Sequence, residues 1–115
     1  MSQVTTHVLD LATGRPASGV TVVLERSCAG GAPEWIASAK TDANGRIADL
    51  GPEELAVGTY QLRFDSGGYQ SGQSGQGGRG FFPEVTIAFH LGDRAQHYHV
   101  PLLLGPWGYT TYRGS

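Results

Sequence analysis

Few residues in this chain have side chains equipped for chemistry: four histidines, an arginine behind a tight turn, and a polar tail. The tail, Tyr112-Arg113-Gly114-Ser115, offers a phenol, a guanidinium, a hydroxyl and a closing carboxylate. Chain ends are ordinarily frayed and poorly equipped, so this one stands out. His97 and His99 lie two apart in "HYHVPLLL" and share a face if that segment is a strand. Such a pair binds zinc when a third ligand arrives from elsewhere. Here the one cysteine is distant and no carboxylate adjoins the pair, so no metal is assigned. His99 sits at the entry to the most apolar strand, where Pro101 marks an edge or special position. His7 interrupts "VTTHVLDL" on the face of Thr5 and Leu9. A neutral histidine near pH 7 can accept a proton, although each of these two alone also fits a satisfied, half-buried histidine. Arg46 follows Asn44-Gly45 and by itself is an ordinary strand residue, while His90 in "IAFHLG" reads as an edge or interface residue. The carboxylates form no convincing pair, and no Ser-His-Asp order is legible.

These residues need elements to position them, and the pattern supplies strands. Apolar alternation predicts strands near 4–11, 20–26, 35–41, 46–49, 59–65, 84–91, 96–104 and 107–112. Asn44-Gly45 is the strongest short hairpin signal, with 46–49 returning from it, and "GDRA" joins the sixth and seventh strands. "GPEELAVG" fits either a loop or a single helical turn. About eight short strands and almost no helical period predict an all-β fold, a two-sheet β-sandwich with at most one short helix. The segment 66–80, "SGGYQSGQSGQGGRG", is low in complexity and reads as a flexible loop. It lacks the Lys-Ser/Thr ending and the following helix of a phosphate-binding loop.

Bulk properties bound the rest. A chain of 115 residues with 39% hydrophobic and 16% charged residues predicts one domain, 1–115, with a modest core. A net charge of -2 without a basic stripe argues against nucleic acid and anionic membrane as partners. The first residues show no basic or apolar export region, and a single cysteine fits a reducing compartment, so the expected location is cytoplasmic.

Read as a whole, the sequence resembles the transthyretin-like family, and within it the 5-hydroxyisourate hydrolases of urate breakdown. The resemblance is carried by "THVLDLATGRPASGVTVVLE", "TDANGRIADL", "FFPEVTIAFHL" and above all "HYHVPLLLGPWGYTTYRGS". It implies two four-stranded sheets face to face and a homotetramer, a dimer of dimers with a central channel. It also implies active sites in that channel that draw on more than one subunit. Carried over by motif, the catalytic residues are His7, Arg46, His99 and Ser115, with Tyr112, Arg113 and Gly114 binding substrate. The sequence departs from its relatives at Gly105, where serine is usual, and at Trp107, where a smaller aromatic is. The 66–80 segment stands where transthyretin has a short helix, and no full helix is expected.

The reaction implied is hydrolytic ring opening of 5-hydroxyisourate to 2-oxo-4-hydroxy-4-carboxy-5-ureidoimidazoline, with no cofactor. One of His7 and His99, preferably His99, would activate water while Arg46 steadies developing negative charge. Two other functions remain possible on this fold: a carrier of apolar aromatic ligands, or a structural module. Around an apolar ligand the carrier would have to desolvate His7, Arg46 and His99. The module leaves the tail unexplained.

Overall fold

Alternation along two strands decides which side chains face the interior. In β1 (Val4–Asp10) Val4, Thr6 and Val8 are buried, so Thr5, His7 and Leu9 occupy the other face. In β8 (Tyr98–Leu104) Tyr98, Val100, Leu102 and Leu104 point inward, which turns His99, Pro101 and Leu103 outward. These strands belong to a computed structural model that describes residues 2–72 and 80–115.

The remaining elements are β2 (Arg15–Pro16), β3 (Thr21–Arg26), β4 (Glu34–Lys40), β5 (Arg46–Ile47), β6 (Gly58–Phe64), α1 (Ser66–Ser71), β7 (Val85–Leu91) and β9 (Tyr109–Thr111). One sheet runs β2-β1-β8-β9 with β5 also on β1, and the other runs β4-β3-β6-β7. Leu24, Leu62 and Phe64 of the second sheet meet Val8, Leu102 and Leu104 of the first in a shared core. The molecule is a two-sheet β-sandwich, as expected, with the first sheet five-stranded rather than four because the short β2 and β5 both pair with β1. The outer face of the second sheet is a closed ionic network. Arg63 bonds Glu25 at 3.2 Å and approaches Glu84 at 3.5 Å, while Gln61 donates to Glu25 at 2.9 Å. Those bonds, Arg63 first, hold the Glu25 carboxyl below its usual range.

Three features differ from the sequence-based expectation. The turn at Asn44-Gly45 forms, with Gly45 at φ +74° and the Asp42 carboxylate accepting from the Asn44 and Arg46 amides at 2.8 and 3.0 Å. The strand leaving it does not return along β4, however. β5 pairs antiparallel with β1 in the opposite sheet, so the turn is a crossing between sheets rather than a hairpin. Likewise β7 and β8 lie in different sheets, and the turn between them is a second crossing.

The third difference is α1, at the start of the segment expected to be a loop. Its sequence has little helical propensity, and tertiary bonds supply what propensity lacks. Asp65 caps it by accepting from the Gly68 amide at 3.0 Å. The Tyr69 hydroxyl donates to Asp10 at 2.8 Å, and the Gln70 amide donates to the Gly105 carbonyl at 2.9 Å. Burial and the neighbouring Asp10 push the Tyr69 phenol up to about 12, so it remains a donor at neutral pH. The rest of the expected loop, 73–79, lies outside the described residues.

Gly45 tests the crossing. A Cβ there would strike the Val8 carbonyl oxygen, and the positive φ disfavours any other residue. Gly45→Ala is expected to lower stability by about 2–3 kcal/mol, read as a lower denaturant midpoint at unchanged slope. An unchanged midpoint would show that the turn accommodates a side chain.

Candidate active site

The outer face of the first sheet gathers the polar residues that looked misplaced in the sequence. The register pairs His7 with Arg46 across β1 and β5, and Thr5 with His99 across β1 and β8. Residues directly opposite one another share a face, so all four side chains stand on the same side. The tail reaches this face through an isolated bridge, in which the Gly114 amide donates to the His99 carbonyl at 2.8 Å. Pro101 explains part of that geometry. The carbonyls of His99 and Pro101 both face the β9 side, the latter accepting from the Thr111 hydroxyl at 2.7 Å. The paired stretch of β9 ends at Thr111, opposite Leu102, so proline occupies a position where the ladder is already broken.

Between these strands lies a concavity of about 280 Å³, lined by Thr5, Thr6, Arg46, Ile47, Ala48, His97, His99 and Ser115. No carboxylate side chain is in that lining. His99 is half-buried, and its imidazole is held below the ordinary histidine range. Burial is the main cause, followed by the positive charge of Arg46 and then by His97 and His7. His99 is accordingly neutral at pH 7 and able to take a proton. Thr5 bridges two rings: its hydroxyl oxygen is 2.8 Å from His99 Nδ1 and 3.0 Å from His97 Nε2. The two imidazoles stack with centroids 6.4 Å apart and planes 21° from parallel.

Of the residues singled out in the sequence, the structure brings Arg46, His99 and Ser115 around one concavity. His7 borders it through its pairing with Arg46 but is not part of the lining. Tyr112 and Arg113 line a neighbouring groove of about 250 Å³ instead, with Phe89 and His90. Arg113 is spent on holding the tail. It donates to the Gln96 side chain at 2.9 Å and the His97 carbonyl at 3.3 Å, with its guanidinium 4.6 Å from the Tyr98 ring centre. His90 lies on β7 beside the Thr59 hydroxyl at 3.2 Å. Among the described residues, no group of three or more His, Cys, Asp or Glu side chains could hold a metal ion. Sequence reasoning missed Thr5 and His97 as parts of the site. The available signal was that Thr5 shares the His7 face and His97 the His99 face.

The geometry has counterparts among known proteins. The pattern of the HIUase/Transthyretin family matches residues 4–114. A 5-hydroxyisourate hydrolase of Caulobacter vibrioides is 44% identical, and the match spans 100% of both chains. The solved structure of Klebsiella pneumoniae 5-hydroxyisourate hydrolase superposes with a TM-score of 0.81 at 40% identity, covering 97% of this chain and 98% of that one. Transthyretin from Sparus aurata superposes at 0.87 with 30% identity, covering 99% and 97%. Alike in sequence over its whole length and in the pairing of its sheets, the chain belongs to the HIUase/Transthyretin family.

Proposed function

We propose that this chain is a 5-hydroxyisourate hydrolase, which opens the ring of its substrate to 2-oxo-4-hydroxy-4-carboxy-5-ureidoimidazoline in urate catabolism. One observation carries the chemistry: a neutral, half-buried histidine and a guanidinium share a concavity on a sheet face, with the tail serine at its edge.

His99 takes a proton from water as the water oxygen bonds to the ring carbonyl carbon. The carbonyl oxygen gains negative charge, which Arg46 steadies without reorganising. Collapse of the tetrahedral species breaks the ring C–N bond, and the imidazolium returns its proton to the leaving nitrogen. His7, paired with Arg46, orients the water or relays the proton. Ser115 hydrogen-bonds the substrate or water. Gly114 permits the close approach to His99, Arg113 serves the site by anchoring the tail, and Tyr112 shapes the substrate's surroundings from the neighbouring groove. No cofactor enters this scheme.

The working form is a homotetramer, a dimer of dimers in which copies of the first sheet's outer face meet around a channel. Exposed Leu11 and Trp107, on the turns at the end of this sheet, suit burial between subunits. Sedimentation at micromolar concentration is expected to return the mass of four chains. No described helix is long and apolar enough to cross a membrane, and the cytoplasm suits the single exposed Cys28.

The activity is tested by generating 5-hydroxyisourate from urate in the cuvette and following its decay. Decay well above the spontaneous rate supports the reading, and decay at the spontaneous rate overturns it. The acid limb of the same assay examines the base. Neutral His99 is lost as pH falls through a value below 6.5, so kcat/KM is expected to drop there. Arg46→Gln removes a charge that holds this value down, so the inflection should move to higher pH in addition to the loss of rate. An inflection that stays in place would separate Arg46 from the titrating group.

A further inference from the structure

We propose that Thr5 and His97 decide which ring nitrogen of His99 carries its proton, and that they hold Nε2 bare for the attacking water. The proposal deepens the hydrolase reading and rests on it.

The argument is a count of protons. The Thr5 hydroxyl lies within hydrogen-bond distance of His99 Nδ1, at 2.8 Å, and of His97 Nε2, at 3.0 Å. A hydroxyl has one proton to give, so it cannot donate to both rings. Thr5 is buried, and no second protein partner for its hydroxyl competes among the described residues. Two arrangements satisfy all three groups without calling on a water. In the first, His99 Nδ1–H donates to Thr5, which donates to His97 Nε2. His99 Nε2 then carries a lone pair, and His97 keeps its proton on Nδ1. In the second, every arrow reverses and His99 Nε2 carries the proton.

Only the first arrangement leaves His99 a base. The pocket also favours it. Arg46 is a donor without any acceptor and the Ser115 hydroxyl can donate, so both can meet a bare nitrogen in the space they line. His97 is exposed, and its Nδ1–H can be held by water. The parallel register of β1 and β8 places Thr5 opposite His99, which fixes the bridging oxygen on a rigid mount. A second nitrogen that sets a histidine's tautomer is a recurrent device wherever imidazole must act at one atom.

The titratable and charged groups facing this cluster are His7 on β1, Arg46 on β5, and Arg113 beside the His97 carbonyl. Arg94, Glu53 and Glu54 border the surface next to His97. Thr5 and His97 are positioning residues in this scheme, since they act through His99.

The test reads tautomers directly. In whole protein labelled with 15N at histidine, two-bond 15N–1H correlations at pH 7.5 are expected to show His99 as the Nδ1–H form. Thr5→Val and His97→Phe should each convert it to the Nε2–H form and lower kcat by about 100-fold, with KM held within about threefold. Thr5→Ser restores the hydroxyl, and His97→Gln restores an acceptor. Both should keep the Nδ1–H form and kcat within about fivefold of the parent, a rescue that a merely structural role would not give. An Nε2–H signal for His99 in the parent protein, or full activity in Thr5→Val and His97→Phe, would overturn the proposal. If the parent protein fails to hydrolyse 5-hydroxyisourate, the functional reading falls, while the tautomer spectra still decide whether Thr5 couples the two rings.

Discussion

His99→Ala is expected to lower kcat by about 10²–10⁴-fold, the usual contribution of a positioned general base. The fold should survive the change. His99 lies on the outer face of β8, while the inward residues Tyr98, Val100, Leu102 and Leu104 carry the packing. Its backbone carbonyl, which pairs with Gly114, remains in place. The loss should therefore appear in kcat, with a thermal midpoint within a few degrees of the parent, and added imidazole should restore part of the rate. A variant that keeps its rate within about threefold would move the base to His7, the next histidine on this face. The effect is large because no other group in the lining is placed to replace His99. Arg46 is a donor without an acceptor, Ser115 is a hydroxyl, and the Nε2 of the exposed His97 is engaged by Thr5.

The second large effect is expected from one methyl group. A Cβ on Gly114 would lie 2.6 Å from His99 Cδ2 and 3.3 Å from both His99 Cγ and Pro101 Cγ. Neither the ring nor the proline can yield without moving the site, because His99 is tied to Thr5 and Pro101 is buried in β8. Gly114→Ala should thus lift the tail off the strand and displace Ser115. A misplacement of about 1 Å costs on the order of 100-fold in rate, so kcat/KM is expected to fall by that much. The bridge lies outside the core, so unfolding should hardly change. Full activity in this variant would mean that the tail works from a position other than the one it occupies in this chain.

Much of this site could be read from residue order, and the limits are specific. Alternation in "VTTHVLDL" and "HYHVPLLL" is local, so it put His7 on the face of Thr5 and Leu9, and His99 on that of His97, without knowledge of any partner strand. The resemblance to the transthyretin-like family then joined those residues to Arg46 and the tail. What local pattern does not contain is which strands meet. The parallel pairing of β1 with β8 links residues more than ninety positions apart, and nothing in either segment specifies it. For the same reason Asn44-Gly45 suggested a hairpin, whereas the chain crosses to the other sheet and delivers Arg46 to His7. The six-residue helix at Ser66–Ser71 lies in a segment whose composition reads as a loop, and bonds to Asp10, Gly105 and Phe82 hold it against that composition. Arg113 was assigned to substrate by its motif, but its charge is engaged with Gln96 and the Tyr98 ring.

The mounting of the site on β1 ties activity to the frame of the interior. Val4, Thr6 and Val8 are buried, and Thr5 and His7 fill the alternate positions between them. Deleting one residue from this run would exchange the two sets, putting imidazole into the interior and valine into the pocket. A one-residue shift of β1 therefore cannot abolish the chemistry while sparing the fold. Along this strand a gain or loss of one position would be eliminated as an unfolded protein before it could be tested as a catalyst.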